Sequence, residues 1–217
     1  MGLEANSGGG LVASACATID ASGLDVGDND LFGVLVDSAS GKLGAPGEEN
    51  GIIIHGNVMG IWLQGVGADD GPSVSMDNTV VEGNQGVGVG IGGGSKGIII
   101  HGSEVRNTTT RVLAVADGGS EEVGDGLLWT GAAEVTVDGL SISGSARQAV
   151  LIDGTVGAGS AISHLYLSGG DEGKGVVQQN LESGSTSPEV GPEAPAIATD
   201  NAQRFAVPQP PAAPQTE

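Results

Sequence analysis

The hexapeptide Gly-Ile-Ile-Ile-His-Gly occurs twice in this chain, at residues 51–56 and again at residues 97–102. Weaker copies of its pattern, in which apolar residues alternate with other residues before a glycine, recur along most of the sequence. The copies lie at residues 24–27, 52–56, 79–83, 98–102, 140–144 and 165–169. A second short apolar segment follows each copy, at residues 34–36, 61–63, 89–91, 112–114, 150–152 and 176–178. A repeat of about 25 residues with two or three short strands predicts a parallel β-solenoid, in which each repeat forms one coil.

Alternation within the copies indicates strands rather than helices. In the copy at residues 140–144, Leu140 and Ile142 point to one face of a strand, whereas Ser141 and Ser143 point to the other. Glycine supplies 41 of the 217 residues. Long helices are therefore disfavoured, because each interior glycine costs a helix about 0.5–1 kcal/mol relative to alanine.

The phrase from Val81 to Ile91, Val-Glu-Gly-Asn-Gln-Gly-Val-Gly-Val-Gly-Ile, carries a resemblance to a known group. It resembles the right-handed parallel β-helix repeat proteins of the pectin-lyase-like superfamily. The resemblance implies an all-β fold, a single-stranded right-handed parallel β-helix of about six coils. We expect an N-terminal lead-in at residues 1–16, the β-helix at residues 17–181 and a Pro/Ala-rich extended tail at residues 182–217. Within the tail, residues 202–207, which we call the Phe205 segment, either dock on the solenoid or remain free.

The charge balance narrows the range of partners. The net charge is −20, with a pI near 4.1. Nucleic acid is excluded as a partner because its phosphates would be repelled, and an acidic polysaccharide is disfavoured unless a cation intervenes. No run of residues approaches the roughly 20 apolar positions that span a bilayer, so membrane insertion is not expected.

A column of polar residues on an outward face is the candidate metal site. If each copy takes the same register, then His55, Glu82 and His101 lie in one column on three adjacent coils, continued by Ser143 and Ser168. Two imidazoles and a carboxylate suit a divalent cation, either zinc or, for so acidic a chain, calcium. The same residues are open to two other interpretations, a general acid or base at Glu82 and an ordinary solvated face.

Two neighbouring outward columns are unexpectedly apolar. The first contains Ile53, Val80, Ile99, Ser141 and Tyr166, and the second contains Leu35, Trp62, Gly90, Leu113, Leu151 and Val177. Strands that are buried on both faces have such continuous apolar runs, so something is expected to cover this solenoid. The candidates are the inserted loops, the Phe205 segment, a second copy of the chain or another protein domain. Trp62, Trp129, Tyr166, Ile53 and Ile99 are therefore candidate partner-binding or carbohydrate-binding residues.

Catalytic candidates are few. Glycoside hydrolysis needs two carboxylates, and Glu82, Asp69 and Asp70 are the candidates, although Asp69 and Asp70 precede Gly71-Pro72, an ordinary turn sequence. The order of these residues differs from that of the polygalacturonase motifs, which they resemble only in part. An inserted loop at residues 117–133, which contains Trp129, would wall a substrate groove in an enzyme.

These patterns favour a structural, adhesive or interaction module of an extracellular or envelope-exposed bacterial protein, which is expected to be a piece of a longer chain. The alternative is a polysaccharide lyase or glycoside hydrolase that acts in a groove beside residues 117–133. The partners expected are a second copy of the chain or another domain on the apolar flank, or a polysaccharide. The sequence leaves both the ligand and the oligomeric state open.

Overall fold

The chain folds as a parallel β-solenoid of about six turns. The structure is a computed structural model that describes residues 2–4, 6–47, 51–65, 74–115, 118–131, 133–168 and 175–211. Within these ranges the regular secondary structure is entirely β, and no helix is present that could cross a bilayer. The parallel β-helix predicted from the repeat is confirmed.

Three parallel sheets, termed A, B and C, form the sides of the solenoid within the described residues. Sheet A contains Gly2–Glu4, Asp25–Gly27, Ile53–His55, Val80–Glu82, Glu104–Arg106, Ser141–Ser143 and Tyr166–Ser168. Sheet B contains Gly9–Ser14, Phe32–Asp37, Met59–Gln64, Val87–Ile91, Asp125–Thr130, Val150–Asp153, Val176–Gln179 and Ile197–Thr199. Sheet C contains Thr18–Ala21, Ser40–Leu43, Val74–Asp77, Ile98–His101, Val135–Asp138, Ala161–Ser163 and Glu189–Val190. Each coil passes through A, B and C in that order.

Five of the six predicted first strands lie in sheet A, but the second hexapeptide does not. Ile98–His101 belongs to sheet C, and Glu104–Arg106 takes the place in sheet A that the repeat pattern gave to it. The predicted partner segment at residues 112–114 is also misplaced, because Arg111–Ala114 pairs antiparallel with Ser120–Val123 in a hairpin outside the coils. The segment at residues 117–133 is therefore not a loop throughout, since it also contains the sheet B strand Asp125–Thr130.

Inward-pointing apolar side chains from the three sheets fill the solenoid. In sheet A, Val26, Ile54, Val81, Val105, Ile142 and Leu167 are in register and belong to this inner core or pack against it. Trp129 lies in the same core and is fully buried, and its indole N–H donates to the carbonyl of Ala133 at 3.1 Å. The alternation of apolar with other residues in the strands thus directs the apolar side chains into one continuous core.

A ladder of side-chain amides, buried at Asn29, Asn57 and Asn84 and exposed at Asn6, lies at the corner between sheets A and B. The side-chain amide N–H of Asn6 donates to Asn29 at 2.9 Å, that of Asn29 donates to Asn57 at 2.8 Å, and that of Asn57 donates to Asn84 at 3.0 Å. Each step crosses one coil, and stacked Asn side chains of this kind stabilise cross-β structures. The residue before each of the last three is left-handed, with φ of 56° at Asp28, 66° at Gly56 and 60° at Gly83.

The outer face of sheet B is covered by the chain itself. Phe32, Leu35, Met59, Trp62, Val87, Val123, Leu128 and Leu151 form a second apolar cluster, against which Val58, Leu113, Val177, Phe205 and Val207 pack. We call this group the cover cluster. The predicted apolar column is thus correct in Leu35, Trp62, Gly90, Leu151 and Val177, but Leu128 stands in place of Leu113, which lies in the hairpin above it.

Side-chain and backbone hydrogen bonds hold the segment around Phe205 in the cover cluster. The side-chain oxygen of Gln179 accepts from the backbone N–H groups of Arg204 and Phe205, at 3.0 and 2.9 Å, and its amide N–H donates to the Phe205 carbonyl at 2.7 Å. The backbone N–H of Gln209 donates to the carbonyl of Ala114 in the hairpin at 2.8 Å. The hairpin and this segment therefore cover sheet B together.

Candidate functional site

An open groove runs along the corner between sheets C and A, parallel to the solenoid axis. Its volume is about 930 Å³. It is lined by Gly23, Leu24, Asp25, Gly51, Ile52, Ile53, Asn78, Val80, Gly102, Ser103, Glu104, Gly139 and Ser141. These residues come from five successive coils, each of which contributes the turn before sheet A and the first residue of the sheet A strand. The groove therefore repeats its backbone geometry once per coil, whereas the side chains at the repeated position differ.

One wall of the groove is an outward column of sheet A. The column contains Asp25, Ile53, Val80, Glu104, Ser141 and Tyr166, all in register. Ile53, between the carboxylates of Asp25 and Glu104, is 41% exposed, and Tyr166, beyond Glu104, is 50% exposed. The strip therefore offers apolar surface to solvent. On the other wall, residue 51 must be glycine, since a Cβ at Gly51 would lie 1.7 Å from the carbonyl oxygen of Asn78. Of the column predicted from the sequence, only Ile99 is absent, because it lies in sheet C.

The second outward column of sheet A corrects the predicted His55, Glu82 and His101 column. Register places His55 beside Glu82, as predicted, but Arg106 follows Glu82, and His101 lies in sheet C between Asp77 and Asp138. Glu82 is therefore bound by a guanidinium rather than by a second imidazole. The proposed three-residue metal column does not form.

Arg106 joins two glutamates at the centre of sheet A. Its Nε donates to Glu82 at 2.6 Å, and its terminal nitrogen lies 3.3 Å from a carboxylate oxygen of Glu104. The hydrogen bond to Glu82 and the charge of Glu104 raise the pKa of Arg106, so the guanidinium stays charged at any ordinary pH. Glu82, the first catalytic candidate, is held in this ion pair.

The N-terminal end of sheet A gathers Glu4, Asp25 and His55. Their ligand atoms all lie within 4.8 Å of one another, and Nε2 of His55 is 3.0 Å from Oδ1 of Asp25. Glu4 and His55 flank Gly27 in the register of three successive coils. A Cβ at Gly27 would lie 2.2 Å from Cε1 of His55, so the imidazole fits over this strand only because residue 27 has no side chain.

The other two histidines lie on or beside sheet C. Nδ1 of His101 lies 3.4 Å from Asp77, and Nδ1 of His164 lies 2.6 Å from Oδ1 of Asp138. The hydrogen bond from His164, with a further one from Ser163 at 3.0 Å, lowers the pKa of Asp138. Each histidine is thus paired with an aspartate from an earlier coil, but within the described residues only His55 also has a second acid within ligand distance.

Neither tryptophan is a surface residue. Trp62 is 1% exposed in the cover cluster, and Trp129 is 0% exposed in the inner core. The prediction that they bind carbohydrate or a partner on the surface is wrong, because the hairpin and the Phe205 segment cover one and the coil encloses the other. Tyr166 and Ile53 remain exposed beside the groove, and Ile99 is exposed on sheet C.

The segment at residues 117–133 contributes a buried ion pair rather than a cleft. Asp125 is fully buried, and Nε of Arg147 donates to its Oδ1 at 2.9 Å while a terminal nitrogen of Arg147 contacts Oδ2. Burial raises the pKa of Asp125, and the hydrogen bond from Arg147 opposes this shift. Cζ of Arg147 lies 5.6 Å from the centre of the Phe205 ring. Asp69 and Asp70, the other catalytic candidates, lie outside the described residues.

Sequence reasoning missed Asp25, Glu4 and Arg106 as site residues. The signal for Asp25 was present, since it occupies the same place in its repeat as Ile53 and Val80 do in theirs. The glycine of the first copy does not occupy the place of the glycine in the second, because Gly27 is paired with His55 and the left-handed Asp28 corresponds to Gly56.

No family model and no curated protein matches this sequence. The fold is similar to the crystal structure of pectate lyase Pel9A, at 12% identity and a TM-score of 0.33, over 91% of this chain and 70% of that chain. The fold assignment accordingly rests on the sheets and their register.

Proposed function

We propose that the protein is a non-catalytic interaction module that binds an extended, uncharged polysaccharide along the groove between sheets C and A. The observation that carries the proposal is the groove itself, which spans five coils and is lined by the same strand position of each successive strand of sheet A. Neighbouring strands lie about 4.8 Å apart, so a polymer laid along the axis meets an equivalent position at every coil. Such a ligand is met at cell surfaces, and the proposal therefore places the protein outside the cell or at its envelope.

The lining suits sugars in two respects. The exposed side chain of Ile53 and the half-buried Val80 offer apolar surface to the C–H faces of sugar rings. The carboxylates of Asp25 and Glu104 and the hydroxyl of Ser141 accept hydrogen bonds from sugar hydroxyls. Carboxylates in the groove and the net charge of −20 disfavour a polyanion.

The alternative of a polysaccharide lyase or glycoside hydrolase beside residues 117–133 receives no support from the described part of that segment. Its hairpin packs on sheet B, and its buried carboxylate, Asp125, is bound by Arg147. A hydrolase needs a second carboxylate across the scissile bond, and a lyase needs an accessible base.

The test uses the two hexapeptides as matched sites. Ile53→Glu adds a charge to the groove, and Ile99→Glu adds the same charge to sheet C in the same local sequence, at a similar exposure of 45%. Affinity electrophoresis with a neutral β-glucan, a neutral mannan and polygalacturonate, followed by calorimetry, measures binding. We expect a neutral polymer to bind the parent protein and the Ile99→Glu variant alike, and the Ile53→Glu variant at least about tenfold more weakly, which is about 1.4 kcal/mol.

The proposal fails if no neutral polymer binds or if both variants bind as well as the parent protein. Assays for new reducing ends and for unsaturated products, run on the same polymers, test the enzymatic alternative. Release of either product would replace the binding module with an enzyme.

A further inference from the structure

The cluster at the N-terminal end of sheet A is organised for more than a surface ion pair. Register alone brings Glu4 and His55 to either side of Gly27, and Asp25 lies two residues before Gly27 on the same outward face. The two carboxylates and the imidazole therefore converge above a single glycine. The cluster arises from three different coils, so it exists only in the folded protein.

Gly27 determines where the imidazole goes. With no Cβ at residue 27, the ring of His55 crosses that strand, and its Nε2 reaches Asp25 on the preceding coil at 3.0 Å. Ligands of one tetrahedral zinc ion lie about 3.4 Å apart, given metal–ligand bonds of about 2.0–2.1 Å. Nε2 of His55 and Oδ1 of Asp25, at 3.0 Å, would move apart by about 0.4 Å to reach that separation. The exposed Glu4 is within 4.8 Å, which a change of side-chain torsion can close.

We propose that Glu4, Asp25 and His55 form a binding site for a divalent transition-metal ion, with Zn²⁺ as the ion that best fits the donor set. One imidazole nitrogen and two carboxylates are common zinc ligands, and a water completes a four-coordinate shell. Calcium prefers six to eight oxygen ligands, which this cluster does not provide. The two carboxylates neutralise the charge of the ion, and the acidic chain attracts cations to its surface.

His101 provides the internal comparison. It has the same hexapeptide sequence and lies in register between two aspartates, yet the carboxylate of Asp77 is bound by Ser75 and that of Asp138 by His164 and Ser163. Those carboxylates are already satisfied by neighbouring side chains. Within the described residues, the three-ligand gathering occurs only at His55.

The experiment titrates ZnCl₂ into the metal-free protein, without a polyhistidine tag, by calorimetry. We expect one Zn²⁺ per chain in the parent protein and in His101→Ala, and binding at least about tenfold weaker in His55→Ala and Asp25→Asn. Circular dichroism in chelator shows whether each variant keeps the parent fold. Glu4→Gln replaces a proposed ligand at an exposed position. Its affinity for Zn²⁺ therefore tests the site even if the other two variants lose the parent fold.

Equal affinity in His55→Ala and the parent protein would overturn the proposal, as would equal losses in His55→Ala and His101→Ala. Displacement of Zn²⁺ by an equal concentration of CaCl₂ would overturn the assignment to a transition metal. Replacement by Co²⁺ provides a spectroscopic check, since its visible absorption band should vanish in His55→Ala. The titration contains no polysaccharide, so its outcome is independent of the proposed groove function.

Discussion

Sheets A and B are built from the same kind of strand, but the outer face of sheet B is buried whereas that of sheet A is exposed to solvent. On sheet B, Leu35, Trp62 and Leu151 point outward and are at most 1% exposed, because the hairpin and the Phe205 segment cover them. On sheet A, Ile53 and Tyr166 point outward and are about half exposed, at 41% and 50%. The strand sequence alone therefore does not decide whether an outward position belongs to a core or to a binding surface. Segments inserted between coils or added after them decide it.

The largest expected effect comes from breaking the ion pair beneath the cover. Arg147→Ala leaves the fully buried Asp125 without its counter-charge and removes the contact with the Phe205 ring, so we expect a loss of about 3–5 kcal/mol in the free energy of unfolding. Urea denaturation followed by circular dichroism measures it.

Acid should lessen this loss. Burial already raises the pKa of Asp125, and removing Arg147 takes away the hydrogen bond that opposes the shift, so the protonated carboxyl becomes the favoured form as pH falls. Arg111→Ala is the control, because the side chain of Arg111 on the hairpin makes an exposed hydrogen bond to Gln85, and its loss should cost about 0.5 kcal/mol or less. Similar losses in both variants would show that the buried pair does not hold the cover.

The second prediction compares outward positions on the two sheets directly. Leu151→Ala on sheet B should cost about 3 kcal/mol, because it leaves a cavity in a packed cluster. Ile53→Ala on sheet A should change the free energy of unfolding by about 0.5 kcal/mol, because the side chain is 41% exposed and belongs to neither apolar cluster. The midpoints of urea denaturation measure the difference, provided that the dependence of the unfolding free energy on urea concentration is the same in both variants. If Leu151→Ala were as mild as Ile53→Ala, sheet B would not be covered in solution.

The smallest expected effect concerns sheet C, whose outer face is open like that of sheet A. His164 lowers the pKa of Asp138, so this carboxylate contributes stability above the ordinary aspartate pKa and loses it as pH falls towards the lowered value. The difference in Tm between the parent protein and Asp138→Asn should therefore shrink between about pH 5 and pH 3. Because both partners are exposed, added salt should also reduce the difference. A difference that is constant over this range would contradict the ion pair.

The fold could be predicted from the sequence because alternation and glycine spacing are local signals. Five first strands and five second strands were found in this way, and the covered column was recognised from its apolar outward residues. The histidine column failed for a physical reason, since residues 52–55 and 98–101 have the same sequence and the same alternation of buried and exposed side chains. Only pairing with neighbouring coils distinguishes sheet A from sheet C, and that information is not local.

The strand that belonged in sheet A escaped notice because it lacks the glycine. Glu104–Arg106 is followed by Asn107, which adopts the left-handed conformation with φ of 56°, as Gly83 does one coil earlier at 60°. Asparagine tolerates this conformation better than most residues, so it replaces glycine without changing the turn. The cluster of Glu4, Asp25 and His55 is not evident from the sequence for a related reason, because it depends on the residues paired with Gly27 on two other coils.

The amide ladder at the corner between sheets A and B makes the solenoid tolerant of growth in some places and not in others. Each rung joins side chains one coil apart, while the chain between rungs runs through sheets B and C and back to A. A segment added within that return path lengthens one coil but leaves both of its rungs in place, as the connection from Leu43 in sheet C to Ile53 in sheet A does between Asn29 and Asn57. A single residue added between Gly56 and Asn57, or between Gly83 and Asn84, would shift a rung out of line. New loops can therefore be grafted onto this protein at the corner between sheets B and C and at the corner between sheets C and A. Loops at those corners leave the hydrogen bonds of the amide ladder between successive coils in place.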